Sequence, residues 1–428
     1  MKWTDELLAI FKVKDLRKKI LFVLFILGIF RLVANIPVPG IDRGQLESFL
    51  SGNEFFGILN IFSGGALSNL SIAMLGLGPY ITSTIILQIF TLIFPKLKEM
   101  YQESGEQGRQ KFNQYGRLLT VPFAMLQGYA LMVLFTRQGI LMIEGPVQTA
   151  AVLTSMVGGA ILLMWLGELV SERGIGNGIS LLIFAGIISA VPLALRDVFV
   201  NATRGDFPQY LLFAAVSLII IAAVVVVTEA RRNIPISYAK RVRGNRVYGG
   251  ASTFLPLTLN PAGVIPIIFA LSLVLFPGII AQFLFGSANP AVQSIAGFLN
   301  SFTPQDNLAL YSIAYFALVV IFTYFYTAVT FNPQTVAQNL QRQGGFVPGI
   351  RPGPPTADRI AFILNRTLLI GALFLGFIAV VPAIAQGVGG GIEGISFLIG
   401  GTSVLIVVSV ALETTRQVRA QIIMRQYD

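Results

Sequence analysis

Residues 208–228 read PQYLLFAAVSLIIIAAVVVVT. The run carries no charge, and its next ionic neighbours are Asp206 before it and Glu229, Arg231 and Arg232 after it. A helix rises 1.5 Å per residue, so about 20 apolar residues cross a hydrocarbon core of ~30 Å. A transmembrane strand needs only ~9–11 residues and alternates apolar with polar side chains. This run is too long and too uniformly apolar for that, so the spacing predicts a membrane-crossing helix.

The same reading extends outward to nine more runs, at 18–36, 70–94, 117–136, 150–170, 178–196, 259–283, 309–330, 363–385 and 394–413. The chain of 428 residues is 54% hydrophobic and only 12% charged, where soluble domains are about a quarter charged. Its mean hydropathy is +0.75. The expected fold class is an all-α integral membrane protein with ten transmembrane helices. There is no cysteine and no histidine, which removes disulfides, thiol nucleophiles, imidazole acid–base chemistry and Cys/His zinc sites together. No cofactor is expected and no Gly-x-x-x-x-Gly-Lys phosphate loop occurs, so the chain is read as a non-enzyme.

Charge sets the orientation. Ten spans bring both ends to one side, and nearly all of the 30 Lys and Arg fall on that side. The exceptions are Arg31, inside the first span, and Arg43, Arg137, Arg196 and Arg204 in the opposite loops. Basic loops stay in the cytoplasm, so both termini are expected there. The long basic loops 229–258 and 331–362, rich in Gly and Pro, then form the cytoplasmic surface.

Two spans contain helix breakers. The second carries Gly76-Leu77-Gly78-Pro79-Tyr80 and the seventh Asn260-Pro261-Ala262-Gly263-Val264-Ile265-Pro266. Each is the second member of its half when ten spans are divided into two fives. Interrupted spans at matching positions point to a functional centre between pseudo-repeats; the alternative is that Gly and Pro are simply frequent in membrane helices. Gln88 and Asn260 lie on the same two spans, where buried amides ordinarily bond across a helix interface and could equally hold an interface that opens. In the second basic loop, Gly344-Gly345-Phe346-Val347-Pro348-Gly349-Ile350-Arg351-Pro352-Gly353 frames one arginine with turn-forming residues, a way to present a side chain to a docking partner. Asp, Glu and His are missing from mid-span, which weighs against a coupled secondary transporter. A non-conducting insertase or scaffold is the other competing reading.

At these residues the chain resembles the SecY family, the central channel subunit of the Sec protein translocase. The matching strings run in order: Asn35-Ile36-Pro37-Val38-Pro39-Gly40-Ile41-Asp42, Phe62-Ser63-Gly64-Gly65-Ala66-Leu67-Ser68, Trp165-Leu166-Gly167-Glu168, Ser171 to Ser180, Tyr238-Ala239-Lys240-Arg241, Asn260 to Pro266, Phe346 to Gly353, and Gly400-Gly401-Thr402-Ser403. The resemblance implies two pseudo-symmetric five-helix halves, 1–197 and 198–428, around a central pore. It implies that unfolded polypeptides cross the pore and that hydrophobic segments leave through a lateral gate, placed at Gln88 and Asn260. It also implies a pore ring at Leu77, Ile81, Ile179, Ile183, Ile268 and Ile406, positions that residue type alone would assign to ordinary helix packing. Leu77 stands where the family has isoleucine, a change that keeps size and apolarity.

A plug of about 55–68 is implied on the outer side, with Ile58, Leu59, Ile61 and Phe62 as its apolar face and Ser63, Gly64 and Gly65 as its hinge. The implied partners are SecE and SecG in the membrane, the SecA ATPase and the ribosome at the cytoplasmic loops, and signal-bearing polypeptides as substrate. Membrane lipid surrounds the chain. Arg351, Arg241, Arg243 and Arg246 are the implied docking residues, with ribosomal RNA as one anionic target. Asn245 stands where the family has a second basic residue. The expected location is the bacterial plasma membrane.

Overall fold

A computed structural model describes residues 13–38, 60, 63–102, 105–143, 145–201, 207–238, 241–243, 246–248, 252–285, 289–303, 306–388 and 401–426. The first half is built from α1 (Lys14–Val33), α2 (Gly78–Ile93), α3 (Pro95–Gln102), α4 (Gly105–Arg137), α5 (Pro146–Arg173) and α6 (Gly178–Asn201). The second contains α7 (Phe207–Glu229), β1 (Arg231–Tyr238), β2 (Arg241–Arg243), β3 (Arg246–Tyr248), β4 (Ser252–Thr258) and α8 (Ile265–Leu284). It continues with α9 (Pro290–Asn300), α10 (Leu308–Thr330), α11 (Pro333–Arg342), β5 (Gly345–Phe346), α12 (Pro354–Val388) and α13 (Gly401–Gln426).

The stretch 208–228 lies in α7. Ile220 and Val224 are buried there, on a helix that packs against α13, whereas Leu211, Leu218, Ile219 and Val226 are about two-thirds exposed. Large apolar side chains left bare in this way suit a hydrocarbon solvent. Each of the ten apolar runs falls on a helix, the last with its residues 394–400 outside the described part. By length and composition, Gly105–Arg137, Pro146–Arg173, Leu308–Arg342 and Pro354–Val381 are each able to cross a membrane, and Gly78–Thr91 joins Pro95–Tyr101 through a 112° bend. Shorter apolar helices occupy Gly178–Pro192, Ala214–Glu229 and Ile265–Gly278.

The helices depart from the apolar runs in two ways. Several outlast them: α4 begins at Gly105, α12 begins at Pro354, and α5, α6 and α13 continue to Arg173, Asn201 and Gln426. Hydropathy stops at the edge of the hydrocarbon, but the backbone hydrogen-bond ladder has no such limit. The second and seventh runs, by contrast, start late. Residues 70–77 and 259–264 are not helical; Gly76 (φ 57°) and Gly263 (φ 64°) adopt left-handed backbone just before helices that carry Pro in their first turn. Proline is pre-set for that position and cannot continue a helix backwards.

The loops 229–258 and 331–362 hold regular structure that their composition did not announce. β1 and β4 pair antiparallel from Arg231↔Thr258 to Ser237↔Ser252. The sheet continues to β5 through Ser237↔Phe346, and β2 and β3 form a separate hairpin closing at Arg243↔Arg246. Ile234, Ile236, Leu257, Leu340, Val347 and Ile360 are buried together. The two long basic loops therefore share one small core of their own.

Helix packing follows a pattern. α1, α2, α4, α5 and α6 pack among themselves, as do α8, α10, α12 and α13, with α7 on α13. The two groups meet where α2 and α4 touch α8, and again where α6 touches α13.

Candidate functional site

The large apolar core draws side chains from both helix groups. Leu77, Ile183, Ile268 and Ile406 are buried in it, and Ile81 and Ile179 pack against it partly exposed. The six expected ring positions thus come from α6, α8, α13 and both sides of the start of α2, where Leu77 is the N-cap residue. The core holds many other aliphatics, so membership alone does not single these six out; between them they come from both helix groups.

The segment before α2 is held by neighbours on both sides. Val38 N–H donates to Leu70 O (2.9 Å) and Ile72 N–H to Ile36 O (3.0 Å), a bridge that lashes residues 70–72 to the end of α1. Leu70 is the single non-glycine with positive φ among the described residues, at 38°. Ser63 is buried, its hydroxyl donates to Asn60 O (3.0 Å), and it accepts from Leu67 N–H (3.1 Å). Gly64 and Gly65 turn through φ 71° and 79°. A Cβ on Gly64 would lie 2.6 Å from Phe30 Cζ and 3.2 Å from Gly186 Cα, so only glycine fits between α1 and α6 there. Arg31 Nη1 donates to Gly64 O (2.6 Å) and to Ser189 Oγ (3.1 Å). Ile58, Leu59, Ile61 and Phe62 lie outside the described residues.

Gln88 and Asn260 are both buried and do not hydrogen-bond to each other among the described contacts. Asn260 Nδ2 donates to Gly263 O (2.8 Å), closing the turn before α8. The side-chain oxygens of Gln88 and Asn260 have no partner. A buried unpaired acceptor is costly, so each of the two broken spans carries one polar group that its surroundings do not satisfy. Elsewhere α2 is well bonded: Ser83 Oγ bonds Gly116 O (3.1 Å) and Thr120 Oγ1 (3.0 Å) of α4.

Arg351 sits on an exposed turn built by Gly349 (φ 82°) and Gly353 (φ 104°). Its own carbonyl accepts from Thr356 Oγ1 (2.8 Å), fastening the turn to the first residues of α12. Val347, four residues earlier, belongs to the small core that also holds β1 and β4. Arg241, Arg243 and Arg246 lie on the β2–β3 hairpin that springs from between those strands. Arg351 is thus tied to the small core of the two loops, and the other three arginines lie on a separate hairpin in the chain between β1 and β4. Nearby helices are also braced: Arg117 Nε of α4 donates to Glu168 of α5 (2.7 Å), and Arg416 Nε of α13 to Glu229 of α7 (2.9 Å). On α3, Tyr101 lies against Phe112 of α4 with ring centroids 4.8 Å apart and tilted by 52°, and burial pushes its hydroxyl above the ordinary range against the opposing pull of Arg109.

Residue patterns alone missed three contacts. Arg31 was visible as a charge inside a span, but nothing in the sequence marks a backbone carbonyl as its partner. The other two are glycines. A Cβ on Gly159 of α5 would lie 1.9 Å from Ile72 O, and one on Gly371 of α12 would lie 2.4 Å from Leu259 O.

Comparison with known proteins agrees with this architecture. The SecY family model matches residues 71–415. The protein translocase subunit SecY of Streptomyces galbus is 42% identical over 433 residues, covering 98% of this chain and 97% of that protein. A SecY structure, described as one whose plug domain stabilises the closed state of the translocation channel and maintains a membrane seal, aligns with a TM-score of 0.63 at 21% identity, over 93% of this chain and 91% of that one. Sec61 from the canine ribosome–channel complex of the endoplasmic reticulum aligns with a TM-score of 0.62 at 20% identity, over 93% and 91%. At those identities the structural likeness speaks to the fold.

Proposed function

Because the chain belongs to the SecY family, a family of protein-conducting channel subunits and not of enzymes, we propose that its pore closes at Leu77, Ile81, Ile179, Ile183, Ile268 and Ile406. These side chains offer no hydrogen bonds, so an ion that sheds water among them gains nothing in return, and a narrow apolar constriction dewets. They also lack any fixed polar pattern, so a polypeptide of any sequence can slide past. The single observation that supports this reading is the meeting of the two broken spans: α2 packs against α8, and Leu77, Ile81 and Ile268, at the starts of those helices, belong to or pack on one apolar core.

The halves are 1–197 and 198–428. Both termini face the cytoplasm of a bacterial plasma membrane, so the segment about 55–68 lies on the outer side and acts as the plug. Irregular backbone at membrane depth is tolerated only inside protein or a water-filled cavity, and the glycine-bound packing of residues 63–65 between α1 and α6 supports that role. Hydrophobic segments leave sideways between α2 and α8, where the unpaired oxygens of Gln88 and Asn260 make the closed seam easy to part. The channel is passive. SecA or the ribosome drives it from the loops that bear Arg351, Arg241, Arg243 and Arg246, ribosomal RNA being one anionic surface there. SecE and SecG accompany it in the membrane and should co-purify.

The deciding experiment replaces Ile81, Ile183 and Ile268 together with Gly and measures ion conductance in planar bilayers with and without a signal peptide. The triple variant should leak at rest, whereas conductance equal to that of the parent channel would sink the ring assignment. Arg351→Glu should abolish SecA-driven secretion in proteoliposomes while leaving the resting channel sealed; normal secretion would refute the docking role.

A further inference from the structure

Arg31 is the basic residue that lies furthest inside an apolar run, 18–36. A guanidinium at such a depth is costly unless its donors are engaged, and among the described residues no carboxylate pairs with it. Its partners come from two other parts of the chain. Nη1 donates to Gly64 O (2.6 Å) in the segment before α2 and to Ser189 Oγ (3.1 Å) on α6. Ser189 is ready for this, because its own proton is committed to Gly186 O (2.8 Å), which leaves the hydroxyl oxygen to accept. The Gly64 carbonyl is turned towards Arg31 by left-handed backbone that glycine adopts freely.

The same few residues shape the seat. Phe30, next to Arg31, and Gly186, one turn before Ser189, are the atoms nearest to Gly64 on either side. A second strap runs in parallel: Asn35 Nδ2 donates to Arg31 O (2.7 Å), and Asn69 Nδ2 donates to Asn35 Oδ1 (3.1 Å). The first turn of the segment is folded on itself, with Gly65 N–H on Asn60 O (2.8 Å) and Ser68 N–H on Asn60 Oδ1 (2.8 Å). Apolar contact can seat such a segment, but it is non-directional and weakly position-specific. The forked hydrogen bonds of Arg31 supply position, since they are made only when Gly64 O and Ser189 Oγ lie together.

We propose that Arg31 is a positioning residue that latches the plug hinge at Gly64 to α6 and thereby sets how readily the resting channel opens. The inference rests on the reading of 55–68 as a plug. Opening then has a defined first event, the exchange of the Gly64 carbonyl for water or passing backbone on the guanidinium, and the cation remains satisfied by Ser189 while the segment is away. The latch acts on the closed state alone, so it changes leak and signal stringency without changing what the open pore admits.

The test compares resting ion conductance of the full chain in planar bilayers for five forms: parent, Arg31→Met, Arg31→Lys, Ser189→Ala and a deletion of 58–66. Hydrogen bonds to a charged group are among the stronger ones, so Arg31→Met should raise resting conductance about tenfold, roughly 1.4 kcal/mol in the closed–open balance. Arg31→Lys should fall between parent and Met, because an ammonium keeps the charge but lacks the planar fork. Ser189→Ala should give a smaller rise, with transport of a cargo bearing a strong signal sequence unchanged. If the deletion leaks while Arg31→Met and Ser189→Ala stay sealed, the latch is wrong and the plug stands. If the deletion also stays sealed, the plug reading fails and the latch falls with it. Should Arg31→Met fail to fold, Ser189→Ala decides, and parent-like conductance there overturns the proposal.

Discussion

The two broken spans solve one packing problem with different anchors. Each begins with turn backbone that includes a left-handed glycine, Gly76 or Gly263, and each helix then opens with proline in its first turn. Each drives a backbone carbonyl against a glycine on the fourth apolar run of its own group of five: Ile72 O on Gly159, Leu259 O on Gly371. The repetition is the detail that most directly supports two pseudo-symmetric halves. The anchors, however, differ. Leu259 N–H donates to Ala230 O (3.0 Å), directly beneath the β1–β4 ladder, so the approach to α8 is an extension of a sheet with its own core. Among the described residues the approach to α2 has no sheet beneath it. It leans on the end of α1 through two backbone hydrogen bonds and through the side chains of Arg31 and Asn35. A sheet gives way only as a unit, whereas single contacts can be broken in turn. The difference assigns the stationary side of the seam to α8 and the yielding side to the segment before α2.

The sharpest way to break this comparison is at the glycines. Gly159→Ala places a methyl 1.9 Å from a backbone oxygen, where no flexible side chain can move aside. Overpacking of this kind costs ~1–3 kcal/mol, and here the upper part of that range is expected, because the displaced backbone is also tied to Ile36 and, through Leu70, to Val38. Gly371→Ala begins from 2.4 Å and should cost less, ~1–2 kcal/mol, since its strain passes to a sheet that is held elsewhere. Gly158, beside Gly159 on the same helix, has no atom within 4 Å of its notional Cβ. Gly158→Ala should be neutral or stabilising by up to ~1 kcal/mol through helix propensity alone. Thermal unfolding of the detergent-solubilised chain ranks the three. Equal losses at 158 and 159 would mean that α5 merely dislikes alanine, and the parallel between the halves would go.

These contacts show where reading the residues stops. The spans were legible because hydrocarbon imposes a composition on everything that crosses it, and the broken pair was legible because Gly and Pro are punctuation at any depth. Gly159 was not, since it sits next to Gly158 and nothing in the letters distinguishes the glycine with a neighbour from the one without. The β1–β4 ladder was hidden as well: RRNIPISY and STFLPLT are short, contain proline and lie among charges, and their pairing comes from residues far apart in the chain. The ring positions could be named from the family likeness but not from their chemistry, because isoleucine facing a pore and isoleucine facing a helix are the same residue.

The smallest expected effect separates the two sides of the seam itself. Gln88 and Asn260 look alike as buried amides, and each has a side-chain oxygen with no partner. Asn260 nevertheless has a structural task, its Nδ2 closing the turn onto Gly263 O, whereas among the described contacts no hydrogen bond is seen at the Gln88 side-chain oxygen. Replacing a buried, unsatisfied polar group with an apolar one of similar size removes a desolvation penalty without removing a bond. Gln88→Leu should therefore tighten the closed seam by ~1 kcal/mol and slow lateral release of a hydrophobic segment, with resting conductance unchanged. Asn260→Leu removes the same kind of penalty but also the bond that shapes the start of α8, so the two terms oppose each other and the net change should be close to zero or destabilising. Lipid insertion of a marginally hydrophobic test segment reads the difference, because such a segment partitions according to how readily the seam parts. If both leucine variants slow insertion equally, the turn at Asn260 contributes nothing and the approach to α8 is no more firmly anchored than the approach to α2.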